Sequence, residues 1–263
     1  MNRFRFSLLG AAAAALALHG APGRTAEPES KPPAWDWPAR PENLKVLPER
    51  TPPEQLRAVM IGFTRALGVR CSHCHVGEEG RPLSTYDFAS DRNPKKRVAR
   101  GMLKMVKHAN EELRELREDE PNARLSGVEV QCVMCHRGLA RPLTLSGTLT
   151  EAYTAAGADS AITEYVRLRR RTFDSGAYDF REPSLDELGE YALSKNDTLG
   201  AVKIFELNMR QFPESGRVYE RLGRAYLALG DTARAYTSFQ RALNVDPQNA
   251  SAREALRRLQ RRP

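Results

Sequence analysis

The chain has 263 residues, enough for one large or two modest domains with a substantial core. Its content of 41% apolar and 28% charged residues is typical of a soluble globular protein. The formal net charge is +8, but basic residues alternate with acidic ones along the predicted helices, as on ordinary solvated faces. We therefore expect no nucleic-acid partner.

Residues 1–26 have the pattern of a secretory signal peptide. Arg3 and Arg5 precede an apolar, alanine-rich run over residues 6–18, and small residues follow it. The run is shorter than the roughly 20 residues that span a bilayer as a helix. We expect export to the periplasm, with retention at the inner membrane as the alternative because no clean small-x-small cleavage site follows.

Residues 27–50 are predicted to form an extended leader, since they hold six prolines. Both tryptophans of the chain, Trp35 and Trp37, lie in it. They could pin the leader to the folded domain or contact a partner.

The first helix is predicted from Thr51, an N-cap with Glu54 placed for a capping box, to Leu67, with Gly68 as its stop. Its apolar residues recur at helical spacing: Leu56, Val59, Met60, Phe63 and Leu67. The segment Cys71-Ser72-His73-Cys74-His75 follows at once.

A second unit has the same order of parts. After a polar loop over residues 76–92, Asn93-Pro94 opens a predicted helix that runs to Arg117. Its predicted buried stripe is Val98, Met102, Met105, Ala109, Leu113 and Leu116. A further loop leads to Cys132-Val133-Met134-Cys135-His136.

The two Cys-x-x-Cys-His motifs predict two covalently attached c-type haems. Two thiols three residues apart can form thioether bonds to the two vinyl groups of one porphyrin, and the next histidine can reach the iron. The predicted attachment residues are Cys71, Cys74, Cys132 and Cys135, and the predicted iron ligands are His75 and His136. A structural zinc site or a thiol–disulfide pair would also explain the cysteines, but neither requires a histidine after each pair.

The sixth iron ligand separates electron carriers from catalytic haems. Met60, eleven residues before Cys71, could complete a Met/His pair around the first iron, or it could be a core methionine. Met102 and Met105 share one helix face, and their spacing does not choose between them. His108 is expected at the surface, with a distal ligand as the alternative.

The last third contains an internal repeat of 34 residues, the period of tetratricopeptide repeats. Five residue types recur at this spacing: Leu188, Gly189, Ala201, Phe205 and Pro213, then Leu222, Gly223, Ala235, Phe239 and Pro247. We expect a helical connector over residues 143–180, with its helix at 158–171, and repeats over residues 181–263. That helix and a basic C-terminal helix near 250–261 are expected to cap the repeats.

Residues 41–142 resemble the cytochrome subunit of photosynthetic reaction centres. The resemblance lies in residues 41–48, in the helix that reaches Gly68-Val69-Arg70-Cys71, and in residues 102–107 followed by the second motif. It implies a mostly α dihaem cytochrome c domain, over residues 51–142, in which each haem unit is a helix with an axial methionine, a turn and a Cys-x-x-Cys-His motif. Carried over, it makes Met60 and Met102 the axial ligands and Met105 a packing residue.

That family usually carries four haems in two such halves, and this chain has one half followed by repeats. The resemblance implies a carrier of single electrons between a redox donor and acceptor, with a membrane-bound electron-transfer or reaction-centre complex as a candidate partner. The repeats are expected to dock a protein partner. The alternatives are a dihaem peroxidase or reductase with one open haem site, and a scaffold whose haems report redox state.

Overall fold

Helices provide nearly all the regular structure of this computed structural model, which describes residues 37–119 and 125–261. Nine α-helices lie in these ranges: α1 Pro53–Leu67, α2 Pro94–Asp119, α3 Cys132–His136, α4 Leu145–Thr172, α5 Pro183–Ser194, α6 Thr198–Gln211, α7 Gly216–Leu229, α8 Thr232–Val245 and α9 Ala250–Gln260. Within the same ranges, strand-like pairing is limited to one antiparallel bridge, between Val76 and Asp87. The predicted mostly α class is confirmed.

Helix α1 ends as predicted, because Gly68 takes a left-handed conformation with φ 65° after Leu67. Its start differs from the prediction. Pro52 is the N-cap residue and no side chain caps the helix. The hydroxyl of Thr51 instead donates to the Pro48 carbonyl at 2.6 Å, so the predicted capping box with Glu54 is wrong.

Helix α2 has the predicted position, but most of its predicted stripe does not face the polypeptide. Val98, Met102, Met105 and Leu116 are exposed by 40% or more of their surface. Ala109 and Leu113 of this stripe are partly buried, together with Ala99, Leu103 and Val106 of the neighbouring apolar stripe. Both stripes have helical spacing, and only the tertiary contacts select one of them.

Helix α4 begins 13 residues before the predicted start of the connector helix, at Leu145, where the Thr144 side chain accepts a hydrogen bond from the Gly147 amide. Ala156 and Gly157 leave helical geometry and kink it. Both halves contribute buried residues to the core of the repeats, among them Leu149, Ala161 and Tyr165. Residues 158–171, which were predicted to cap the repeats, pack on this core, and so do residues 145–155.

Helices α5 to α9 form consecutive antiparallel hairpins whose contacts repeat with the predicted period. Gly189 faces the ring of Phe205, and Gly223, 34 residues later, faces the ring of Phe239. The helix caps repeat too: Asp197 and Asp231 cap α6 and α8, as Ser215 and Asn249 cap α7 and α9. Ala252 of α9 is fully buried against this core, as expected for a capping helix.

The predicted signal peptide over residues 1–26 and Trp35 lie outside the described residues. Within residues 37–119 and 125–261, no helix has the length and apolar character needed to cross a membrane. Residues 37–50 contain turns but no helix, in keeping with the predicted leader.

Candidate haem-attachment sites

The first Cys-x-x-Cys-His motif forms one helical turn. Cys71–His73 is a short 3₁₀ segment, and the His75 amide donates to the Cys71 carbonyl at 2.9 Å. This turn places Cys71, Cys74 and His75 along one short stretch of backbone, and all three are partly buried. The sequence predicted these three residues as one site, and the local geometry is compatible with it.

A folded loop over residues 76–91 packs on the imidazole of His75. The Phe88 ring lies edge-on to it, 4.9 Å between centroids, and Tyr86 stacks on Phe88 at 5.6 Å. The loop is closed by the Asp87 amide, which donates to the Val76 carbonyl at 2.8 Å. Gly77 allows the fold, because a Cβ there would lie 2.4 Å from the Tyr86 ring.

His75 has an environment that favours a neutral imidazole. Burial lowers the pKa of His75, the positive charges of Lys96 and Arg100 act in the same direction, and a backbone hydrogen bond with Phe88 partly offsets them. A neutral imidazole is the form that ligates iron.

A polar group that the sequence did not predict holds this loop against α2. We call it the Asp91 cluster: Asn43, Lys45, Asp91, Lys96 and Arg100. The Asp91 carboxylate accepts from Lys45 at 2.7 Å and from Arg100 at 2.8 Å. Hydrogen bonding from Lys45 holds the pKa of Asp91 far below its usual range. Asn43 and Arg100 also bond to backbone carbonyls, so the cluster ties the leader, the loop and α2 together.

The second motif forms helix α3, which ends at Arg137 in a left-handed conformation. His136 is buried, with 9% of its surface exposed, and its Nδ1 lies 2.8 Å from the Leu139 carbonyl. Because a carbonyl can only accept, Nδ1 carries the proton and Nε2 keeps its lone pair for a metal. This geometry fits an iron ligand of the kind predicted.

Asn110, in the middle of α2, positions the segment that leads into the second motif. Its side chain donates to the Val130 carbonyl at 3.1 Å and accepts from the Val130 amide at 2.7 Å. The Asn110 side chain thereby satisfies both backbone groups of Val130, as a neighbouring β-strand would. Asparagine has a low helix propensity, so its presence in the middle of a predicted helix was the sequence signal that Asn110 bonds to another segment.

The two attachment units touch at their backbones. The Gly138 amide, just after the second motif, donates to the Ala66 carbonyl at the end of α1, 2.8 Å away. Gly68 lies against Gly138 so closely that a Cβ there would lie 2.2 Å from the Gly138 carbonyl oxygen. Helix α1, which carries Met60, therefore packs against α3, which carries His136.

The four cysteines are free thiols in this structure. Burial raises the pKa of the Cys74 thiol, although the Lys95 charge partly offsets it. Redox-active Cys-x-x-Cys pairs contain a thiol with a lowered pKa, and the Cys74 thiol differs from such a thiol in this respect. Among residues 37–119 and 125–261, no three His, Cys, Asp or Glu side chains are grouped to hold one metal ion.

The candidate methionines differ in exposure. Met60 is partly buried on α1, whereas Met102 and Met105 are 40% and 55% exposed on one face of α2. The choice between Met102 and Met105 stays a prediction. His108 is exposed and lies 3.7 Å from the Glu112 carboxylate, as expected for a surface residue.

The repeats present an open groove of about 970 Å³ between α7 and α9. Its charged lining alternates in sign, with Glu220, Arg224, Glu254 and Arg258 around Leu227 and Leu259. Burial raises the pKa of Glu220, with Arg224 acting against it. Such a lining suits a peptide that carries charges of both signs beside apolar side chains.

Comparison with known proteins accounts for both parts of the chain. The family model of the photosynthetic reaction centre cytochrome C subunit matches residues 49–143, which contain both Cys-x-x-Cys-His motifs. The tetratricopeptide repeat model matches residues 216–249. The predicted fusion of a cytochrome segment of the reaction-centre type with tetratricopeptide repeats is therefore confirmed.

Two similar solved structures are of tetratricopeptide proteins or their complexes. One is the first TPR of Spaghetti (RPAP3) bound to the HSP90 peptide SRMEEVD, at 19% identity and a TM-score of 0.32, covering 44% of this chain and 87% of that one. The other is PcrH in complex with the chaperone binding region of PopB, at 16% identity and a TM-score of 0.29, covering 44% and 89%. No curated protein matches the chain.

Proposed function

We propose that this protein is an exported dihaem c-type cytochrome that carries single electrons between redox proteins. The observation that carries the proposal is the match of residues 49–143 to a cytochrome family, over a segment in which both motifs form helical turns. The bound haem would supply the one-electron change of its iron. The polypeptide would hold the haems, ligate their irons and dock the protein partners.

The chain would hold two haems through Cys71 and Cys74 in the first site and Cys132 and Cys135 in the second. His75 and His136 would ligate the irons from one side. Support for His136 comes from its Nδ1–H bond to Leu139, which fixes ring and tautomer. Met60 and Met102 are the proposed ligands on the other side, a pairing that closes the iron to substrates and suits a carrier rather than an enzyme.

The proposed location is the periplasm, where c-type haems are attached in bacteria, with an uncleaved signal retaining the protein at the inner membrane as the alternative. A membrane-bound electron-transfer or reaction-centre complex is the proposed redox partner. The repeat groove between α7 and α9 would dock a protein partner.

The first test is the mass and haem stain of protein exported by a host that matures c-type cytochromes. Two added haems are expected, and a mass without haem would refute the proposal. The same mass shows whether residues 1–26 are removed.

The second test is the visible spectrum of the oxidised protein. A weak far-red band from methionine–iron bonding is expected, and it should weaken in Met60→Ala and in Met102→Ala but not in Met105→Ala. A high-spin haem in the unaltered protein, together with rapid peroxide turnover, would favour the enzyme instead.

A further inference from the structure

We propose that Lys96 and the rest of the Asp91 cluster are positioning residues that raise the reduction potential of the first haem above that of the second. The inference rests on the proposed function and concerns how the two sites differ. The difference in reduction potential would favour electron transfer from the second haem to the first.

Lys96 lies directly behind the loop that packs on His75. Its ammonium donates to three successive carbonyls, those of Phe88 at 2.7 Å, Ala89 at 3.0 Å and Ser90 at 3.0 Å. Its side chain is only 12% exposed. The Phe88 ring, in turn, contacts the imidazole of His75. The buried positive charge of Lys96 is thus separated from His75, the proposed iron ligand, by Phe88.

The two histidines differ in what their Nδ1 atoms contact. At the second site, His136 donates to the Leu139 carbonyl, and such a bond increases the electron-donating power of the imidazole. A stronger donor favours ferric iron and lowers the potential. At the first site a backbone hydrogen bond with Phe88 acts on His75, and the Phe88 carbonyl already accepts from the Lys96 ammonium at 2.7 Å, so it is a weaker acceptor for an imidazole N–H. His75 is therefore the weaker donor.

The charges of the Asp91 cluster also favour a higher reduction potential at the first haem. The Asp91 cluster contains three cations, Lys45, Lys96 and Arg100, around one carboxylate. The side chains of Lys96 and Arg100 are mostly buried, at 12% and 14% exposure, so solvent screens these two charges weakly, whereas Lys45 is 58% exposed and well screened. Ferric haem carries one more positive charge than ferrous haem, and a nearby cation favours the reduced form.

The test is a redox titration of the full-length protein carrying both haems, in which two one-electron waves are expected. Lys96→Met should lower the upper wave and leave the lower one in place. We expect a change of about tenfold in the oxidised-to-reduced ratio, which is about 59 mV for a one-electron couple. Lys104→Met is the matched control, since Lys104 is an exposed lysine of the same helix, and it should move neither wave.

Asp91→Asn supplies a change of opposite sign, because it removes the only carboxylate of the cluster and should raise the upper wave. General loosening of the loop cannot move the potential in opposite directions in two variants, so the pair separates tuning from structural damage. If Lys96→Met does not accumulate, the direction of the Asp91→Asn shift decides the matter.

Three results would overturn the inference: equal shifts in Lys96→Met and Lys104→Met, shifts of the same sign in Lys96→Met and Asp91→Asn, or a shift of the lower wave. Two attached haems with unmoved potentials would refute this inference and leave the proposed function intact. A protein without haem would refute both.

Discussion

A single amide side chain holds the approach to the second attachment site. Asn110 satisfies both backbone groups of Val130 in a part of the chain with no sheet. Asn110→Ala leaves two partly buried backbone groups unpaired, and we expect a loss of about 1–2 kcal/mol of unfolding free energy. Thermal unfolding monitored at the haem absorption band measures it.

The control for this change is Glu115→Ala, at an exposed position of the same helix. It should have a small effect, within about 0.5 kcal/mol. Equal losses in the two variants would show that the Asn110 pairing contributes nothing.

Asp186 makes the stability of the repeats depend on pH. Burial raises its pKa to about 6, with Glu182 adding to the shift and the bond from Asn208 opposing it. The folded protein therefore keeps a proton that the unfolded chain releases near pH 4. The free energy of unfolding should fall by about 2 kcal/mol as pH rises from 4 through 6.

Asp186→Asn removes the titrating carboxyl group. It keeps an oxygen acceptor for Asn208, which donates to Asp186 at 2.8 Å. Denaturant unfolding at pH 5 and pH 7.5 should give a flatter pH dependence for the variant than for the unaltered protein. Glu187→Gln, an exposed neighbour on α5, should retain the original slope. The explanation fails if Asp186→Asn keeps that slope.

At the level of elements, the hairpins of the repeats depend on glycine–phenylalanine contacts. A Cβ at Gly189 would lie 2.4 Å from Phe205 Cζ. Gly189→Ala should therefore destabilise the repeats by about 2 kcal/mol through overpacking, as measured by urea unfolding. Phe205→Leu in the same chain should restore part of the loss.

Gly101 of α2 is the matched control, because a Cβ there meets nothing within 4 Å. Gly101→Ala should be neutral or stabilising, by up to about 1 kcal/mol, since alanine is the better helix former. A loss from Gly101→Ala as large as that from Gly189→Ala would contradict the packing argument.

The repeats were predictable because their packing residues recur at a fixed period and contact one another within one hairpin. Gly189 and Phe205 recur as Gly223 and Phe239, and each pair meets inside one hairpin. The first half of α4 was missed because Pro142 and Gly147, residue types common in loops, precede the predicted helix. Gly147 lies in the first turn, which Thr144 caps, and Gly157 kinks the helix without ending it.

The two motifs were predictable from five residues each, but their surroundings were not. Periodicity allowed two apolar stripes on α2, and the face of Leu103 and Val106 was selected by contacts distant in sequence. Lys96 is one of two adjacent lysines, and nothing local distinguishes it. Its role depends on how residues 86–91 fold back over the helix.

At the scale of the molecule, the cytochrome segment passes into the repeats without a separate linker domain. Helix α4 begins nine residues after His136, and its residues Leu149, Ala161 and Tyr165 are almost fully buried in the core of the repeats. A chain cut after residue 180 keeps α4 but exposes this apolar face. We expect it to aggregate.

A chain cut after residue 143 lacks α4 altogether and should stay monodisperse with both motifs present. Size-exclusion chromatography of the two truncated proteins measures the difference. A monodisperse chain of residues 1–180 beside an aggregating chain of residues 1–143 would place the structural boundary after α4.

The bond between Ala66 and Gly138 has a consequence for the order of assembly. Export begins at the N-terminus, so under the proposed periplasmic location the Ala66 carbonyl crosses the membrane about 70 residues before the amide that it accepts from. During that interval the end of α1 has no partner from the second unit, although the first pair of thiols is already complete. The enzymes that attach haem would thus meet the first motif before the second unit can pack against it, and the second motif together with the Gly138 amide that joins the two units.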